Sequence, residues 1–205
     1  MHDTEPAPTV GRRTPEHRQR VHSVGQSPSD SLNPHRTVVA ELARVVRFHG
    51  TCGRSTVARR VAELLDSVRL PAGVADRYPA NLSEGEQQRV AIARALAGNP
   101  AVLVCEEITS ALDVSVQATV LTLLTDLRRD LDLSLLFITH DLGVVAAAAD
   151  HVTPIHDGRI RTGEPVAEVL HPAAPHPLIH QLLHAAPTLG PRKEPMAPNA
   201  GRRTS

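Results

Sequence analysis

"AVLVCEEITSALDVSVQATVLTLLTDLRRDLDLSLLFITH", residues 101–140, is the stretch on which the fold turns. AVLVC (101–105) and LSLLFITH (133–140) are short, unbroken apolar runs, as expected of strands covered on both faces. Between them, from Val114 to Leu131, the residues Val116, Val120, Leu123, Leu127 and Leu131 return every three or four positions and so share one face of a helix. Strand, helix, strand at this length is a parallel β-α-β unit, and the fold class is therefore α/β. Sheets of this kind take their ligands at the carboxyl ends of the strands.

Polar residues gather at those ends. The first strand runs into Glu106 and Glu107 and then Ile108 to Asp113, the second into Thr139, His140 and Asp141. A single acid in such a place is ordinarily a helix cap, and a single histidine is ordinarily just exposed. Two carboxylates and a histidine converging on one end of a sheet form a candidate site.

Upstream lies NLSEGEQQRVAIARALAGNP (81–100). Ser83-Glu84-Gly85-Glu86 fits a capping box, Val90, Ala93 and Leu96 carry the apolar face, and Gly98-Asn99-Pro100 supplies the stop. Taken alone this is a well-capped helix; its functional reading is an anion site, because the free N–H groups and the dipole at a helix start favour phosphate.

HGTCGRSTVARR (49–60) imitates a phosphate-binding loop but does not satisfy the pattern G-x-x-x-x-G-K-[ST]. Phe48 stands where the first glycine belongs, and Arg54 replaces the lysine. The preceding Val38, Val39, Leu42, Val45 and Val46 recur at helical spacing, whereas a phosphate loop follows a strand. The expectation is a turn between two helices, the second starting near Thr51 or Ser55 and carrying Val57, Val61, Leu64 and Leu65.

Composition narrows the class. The 205 residues can hold one domain with a sizeable core, and 41% apolar content is ordinary for a globular chain. No apolar stretch approaches the ~20 residues of a membrane span, and MHDTEPAPTV lacks the blocks of a signal peptide. With 22 basic and 22 acidic residues, nothing favours a nucleic-acid partner; one Tyr, two Phe and no Trp leave no stacking platform for single strands either. Cys52 and Cys105 form no C-x-x-C, which suits a reducing compartment. Residues 1–17 and 188–205 are polar, proline-rich and without period, and are expected to be disordered tails around a domain spanning 18–187. VTPIHDGRI (152–160) predicts a hairpin around Asp157-Gly158, with Pro154 on an edge. His176, His180 and His184 fall four apart, a spacing that would stack three imidazoles on a helix; an amphipathic tail explains it as well.

YPANLSEGEQQRVAIARALAGNP, AVLVCEEITSALD and LLFITHDLGVV, in this order and spacing, closely resemble the ATP-binding subunits of ABC transporters: signature motif, Walker B with D-loop, and switch histidine. GQSPSDSLNPHRTV (25–38) resembles the Q-loop, and HPAAPHPLIHQLL (171–183) the tail, of the subunits that power oligopeptide, dipeptide and nickel importers. The resemblance runs from about Arg18 to Pro187. It implies a P-loop-NTPase-like parallel sheet with a helical subdomain at about 34–98, ATP and Mg2+ as ligands, transmembrane permease subunits and a second ATP-binding subunit as partners, and a place on the cytoplasmic face of the membrane.

Site residues carry over position by position. The resemblance implies that Gln26 senses magnesium and the transmembrane partner, that Ser83 and Gly85 hold the γ-phosphate of ATP on the opposing subunit, and that Glu106 positions magnesium. It further implies that Glu107 polarises the attacking water, that Asp113 crosses the dimer interface and that His140 contacts the γ-phosphate. Phosphoryl transfer needs chiefly positioning and charge neutralisation, so half a site can come from each subunit.

Departures from the family pattern bear on activity. In the family the Walker A loop precedes the Q-loop, and nothing in residues 1–17 matches it; the sequence reads as truncated at its N-terminus. The strand ending at His140 is then expected to lose a sheet neighbour, leaving an open edge and uncovered apolar surface. Glu106 stands where the family has aspartate, which displaces its carboxylate by about an ångström. LSEGE replaces LSGGQ, so Glu84 and Glu86 add negative charge where a phosphate would approach, and Ile108 replaces a proline. Two readings result: an ATPase subunit of a peptide importer, impaired or inactive alone, and a non-catalytic remnant that serves as a partner-binding module.

Overall fold

In the computed structural model residues 20–170 are described, apart from 111, 161 and 162. The tails, the HPAAPHPLIHQLL stretch and the His176, His180 and His184 set lie outside the described residues. The described chain divides into two compact units, the first running through His140 with Ala147–Ala149, the second formed by Asp141–Ala146 and the residues from Asp150 onward.

The first unit is built on three parallel strands in the order β1 (Val21–Val24), β2 (Val102–Glu106), β3 (Ser134–Ile138). Val21 pairs with Val102 and Val102 with Ser134, so the carboxyl ends lie side by side. The crossover from β2 to β3 is helix α5 (Val114–Leu131), as the apolar period predicts. Its buried face is Val120, Leu121, Leu123, Leu124 and Leu127. Leu131, expected on that face, is instead half exposed: it is the last helical residue, and the left-handed Asp132 turns the chain away immediately after it.

Before β2 come α1 (Pro28–Ser31), α2 (Val38–His49), α3 (Val57–Ser67) and α4 (Glu84–Leu96). Helix α2 starts at a Thr37 cap and stops at Gly50, which takes the left-handed conformation (φ 63°) that ends helices without a side-chain penalty. HGTCGRSTVARR is the turn between two helices, not a phosphate loop. The second helix begins later than Thr51 or Ser55, because a 3-10 turn over Arg54–Thr56 precedes it. The Thr51 hydroxyl donates to the Ala97 carbonyl, pinning this loop to the end of α4.

Helix α4 packs on β1 and on α1, α2, α3 and α5, and its Val90, Ile92, Ala93 and Leu96 are buried. Glu41 of α2 is buried beside it; Arg44 on its own helix donates to it at 2.8 Å, and the Arg94 Nε of α4 lies 3.4 Å away. A buried carboxylate needs such partners, and here they tie α2 to α4.

Within the first unit, the described helices pack on one face of the sheet. Val24, Leu103, Cys105, Leu135 and Phe137 point to the core under the helices. On the other face Leu136 is 53% and Ile138 48% exposed, and Val21, on β1 at the far side of β2, is 46% exposed. Burial of the 133–140 strand on both faces is thus corrected to partial burial on one, and among the described residues β3 is terminal in the sheet, as expected. Each exposed side chain forgoes roughly half of the ~1.5–3 kcal/mol that full burial contributes.

Helix α6 (Leu142–Ala148), which belongs to the second unit up to Ala146, is followed by β4 (His151–Val152), β5 (Ile155–His156), β6 (Arg159–Ile160), β7 (Glu164–Pro165) and α7 (Val166–Val169). β4 pairs antiparallel with β7 and β5 with β6. The β5–β6 hairpin turns on Asp157 (φ 50°) and Gly158 (φ 70°), as the Asp-Gly pair predicts; Pro154 sits just ahead of β5, where no ladder N–H is required.

Candidate functional site

Glu106 and Glu107 differ because the strand ends between them. Glu106 is the last residue of β2, opposite Ile138, on the uncovered face of the sheet. Glu107 leaves the strand with φ 45°, a left-handed conformation that costs a non-glycine residue about 1–2 kcal/mol. Four contacts hold it there. Its N–H donates to the Ile138 carbonyl at 2.9 Å, its own carbonyl accepts from both the N–H (3.0 Å) and the hydroxyl (2.9 Å) of Ser110, and its Oε1 lies 3.0 Å from His140 Nδ1. These contacts hold the residue in a conformation it would not adopt alone. No sequence pattern announces it, since glutamate has no preference for that conformation.

With the carboxylate as acceptor, the His140 Nδ1–H donates and the second carboxylate oxygen of Glu107 is left for another donor, such as water. The imidazole is 75% exposed, so it can meet a ligand from outside. Two of the residues marked by the sequence are thereby joined across neighbouring strands. Gln26 is exposed two residues beyond β1, at the same end of the sheet as Glu106. An amide oxygen and a carboxylate oxygen are hard donors that suit Mg2+ chemically.

Ser83, Gly85 and Asp113 form a second group, at the starts of α4 and α5. The capping box is complete: Glu86 N–H donates to Ser83 Oγ at 3.3 Å, and the Ser83 N–H and hydroxyl donate to Glu86 Oε2 at 2.8 and 3.1 Å. The Ser83 backbone N–H, then burial, its hydroxyl and Arg77 act on this carboxyl; the hydrogen bonds and charges prevail, and its pKa lies below the ordinary value. Both Ser83 donors are thus spent on an internal anion. Gln87 Nε2 donates to the carbonyls of Pro79 and Leu82 and fixes the chain entering the helix.

Gly85 has a packing reason. A Cβ built there would stand 2.8 Å from Val116 Cγ1, so the α4 start approaches α5 closer than a side chain permits. Asp113 is the α5 cap, accepting from Ser115 N–H, Val116 N–H and the Ser115 hydroxyl; these bonds, that from Val116 first, hold its pKa down.

Neither group lies in the open cavity of about 650 Å3 that is bordered by Asn33, Arg36, Glu41, Arg44 and Arg94. Among the described residues no helix is long and apolar enough to cross a membrane.

Known proteins match this chain in three ways. The family model for ABC transporter proteins matches residues 2–110. The glutathione import ATP-binding protein GsiA of Escherichia coli strain K12 is 42% identical over 171 residues, which are 82% of this chain and 27% of that protein. Its counterpart in Pectobacterium atrosepticum is 42% identical over 168 residues, 80% of this chain and 27% of that protein. The chain therefore spans about a quarter of the length of these curated relatives. Among solved structures, the dimeric ATP-binding cassette MJ0796 in a post-hydrolysis state with ADP and Pi matches with TM-score 0.64 and 28% identity, over 77% of this chain and 68% of that one. A second neighbour, cbiO1 from Clostridium perfringens, part of the ABC transporter complex cbiONQ, has TM-score 0.69 at 24% identity, over 82% of this chain and 65% of that one, and speaks for the fold.

Proposed function

The chain belongs to the ABC transporter family, and on that premise we propose that it is the ATP-binding subunit of an importer for small peptides, working as one member of a pair of cassettes. The observation that carries this reading is the Glu107–His140 contact at 3.0 Å, set on the carboxyl ends of adjacent parallel strands. Its relatives' names point to glutathione, a short peptide, which fits the oligopeptide and dipeptide class implied by the Q-loop resemblance. Permease subunits, peripheral placement at the cytoplasmic face of the membrane, and a helical subdomain at about 34–98 belong to the same proposal.

Mg·ATP supplies the phosphoanhydride bond whose hydrolysis drives transport. This chain's residues contribute orientation. Glu107, held rigid by Ile138, Ser110 and His140, keeps one carboxylate oxygen free to accept a proton from water. His140 keeps its Nε2 for a partner outside. Gln26 and Glu106 are the oxygen donors that would hold Mg2+. The start of α4 contributes its dipole and the Ser83 donors, once Glu86 gives them up.

In this reading the chain's part is that of the complementary half, with Ser83, Gly85 and Asp113 presented to nucleotide held by a partner. The experiment adds the chain to a cassette bearing an intact phosphate loop and measures that cassette's ATPase rate. A change in rate that Ser83→Ala abolishes supports the proposal. An unchanged rate favours the second reading, a non-catalytic partner-binding module, for which the self-satisfied capping box is the specific observation.

A further inference from the structure

Helix α4 carries Ser83 and Gly85 at its start, and its other end is tied to the strand that leads to Gln26. The last four carbonyls of a helix find no partner inside it. At this end they and the residues just beyond are served by side chains from elsewhere in the first unit. The Thr51 hydroxyl of the α2–α3 turn donates to the Ala97 carbonyl at 3.1 Å, Arg60 of α3 donates to the Asn99 side chain at 2.6 Å, and His22 of β1 meets the Ala95 carbonyl at 2.6 Å. Of these three, His22 alone belongs to the sheet.

The ring of His22 is seated as well as bonded. A carbonyl oxygen can only accept, so Nδ1 carries the proton and donates it to Ala95. Just past the helix, Gly98 leaves the ring its room: a Cβ built there would stand 2.8 Å from His22 Nε2, and the three atoms nearest to it all belong to that ring. The ring also meets His49 of α2, centres 4.8 Å apart; burial and then His22 hold the pKa of His49 below its ordinary value. In the sheet His22 pairs with Leu103, which is fully buried, so β1 itself is anchored in the core.

We propose that His22 is a positioning residue, a latch between β1 and α4 that sets the start of α4 against the Gln26 end of β1. Apolar packing of α4 on the strand is non-directional and tolerates sliding along the helix axis. A directed hydrogen bond and a ring seated on a glycine do not. The 13 residues of α4 make a rod of about 20 Å, so where its last turn is held decides where Ser83 and Gly85 stand. Gln26 follows His22 by four residues on the same run of chain. The sheet half and the helix half of the proposed nucleotide site therefore share one frame, in which a misplacement of about 1 Å costs on the order of 100-fold in rate. The consequence for turnover rests on the importer reading; the latch rests on the contacts of His22.

The test places spin labels at Ser27→Cys and Glu84→Cys, both exposed, in a Cys52→Ser background; Cys105 can stay, because burial pushes its thiol up to about 12 and keeps it unreactive. Double electron–electron resonance should give one narrow separation. It should shift or broaden in His22→Ala and in Gly98→Ala, whose methyl displaces the ring, and return in His22→Asn, whose amide offers an N–H where Nδ1–H stood. Thr51→Val loses a bond at the same helix end but no tie to β1, and should leave the separation unchanged. If His22→Ala fails to fold, Gly98→Ala carries the comparison. Titrated into a cassette with an intact phosphate loop, His22→Ala should lower the plateau ATPase rate about tenfold or more at an unchanged half-saturating concentration, whereas mere loss of folded protein would raise that concentration and spare the plateau. An unchanged separation in both His22→Ala and Gly98→Ala, or an equal change in Thr51→Val, would overturn the latch. A wild-type chain that leaves the cassette's rate untouched while the separation still responds to His22 would overturn the importer reading and support the latch.

Discussion

Replacing Gly85 by alanine separates two reasons for a glycine at the start of α4. A Cβ there stands 2.8 Å from Val116 Cγ1, about 0.6 Å short of the 3.4 Å at which ordinary contact begins. Val116 cannot swing aside easily: it is β-branched, sits in the first turn of α5, and its N–H is bonded to Asp113. Overpacking of this kind costs about 1–3 kcal/mol, against which alanine recovers roughly 1 kcal/mol of helix propensity over glycine. Gly85→Ala should therefore lower stability by up to about 2 kcal/mol. In a Val116→Ala background the clash is gone, and the same substitution should instead stabilise by up to ~1 kcal/mol. Urea unfolding of the four proteins, with constant m-values, gives the coupling energy, expected at about 1–3 kcal/mol. If Gly85→Ala stabilises equally in both backgrounds, the close approach is wrong, and Gly85 must be explained by contact with a ligand alone.

Other outcomes follow from the same geometry. Ser83→Ala should cost about 1 kcal/mol in urea unfolding through loss of the α4 cap, and no loss would contradict the capping box. His49 binds fewer protons folded than unfolded, since its pKa is lowered from 6.5; its contribution is whole above 6.5 and is lost as pH falls from 6.5 through the lower folded value, so midpoint temperatures should drop over that window and drop less in His49→Gln. Leu136→Thr with Ile138→Thr should reduce dye binding and self-association in light scattering while changing stability by less than about 1 kcal/mol, because both side chains are half exposed and threonine suits a strand. Unaltered self-association would mean that this face is not the adhesive one.

What the sequence disclosed divides along physical lines. Periods and caps are local, so α5, the Ser83–Glu86 box, the Asp157–Gly158 hairpin and the turn at residues 49–60 could be read directly. Layers are not local. The run LSLLFITH looks like a doubly buried strand, but whether anything covers Leu136 and Ile138 depends on what lies opposite them. The same limit hid the Val116 methyl that explains Gly85, 31 positions away, and the pairing of His22 with His49. Glu107 and His140 were legible as a pair because strand ends of a parallel sheet converge; the left-handed backbone of Glu107 was not, because nothing in its side chain requires it.

The central proposal is that Glu107 and His140 orient water while Ser83, Gly85 and Asp113 close over nucleotide held by a partner cassette. Calorimetric titration of the isolated chain with Mg·ATP tests it most directly. The account predicts no saturable binding and no turnover; tight, magnesium-dependent binding, with hydrolysis abolished by Glu107→Gln, would contradict it.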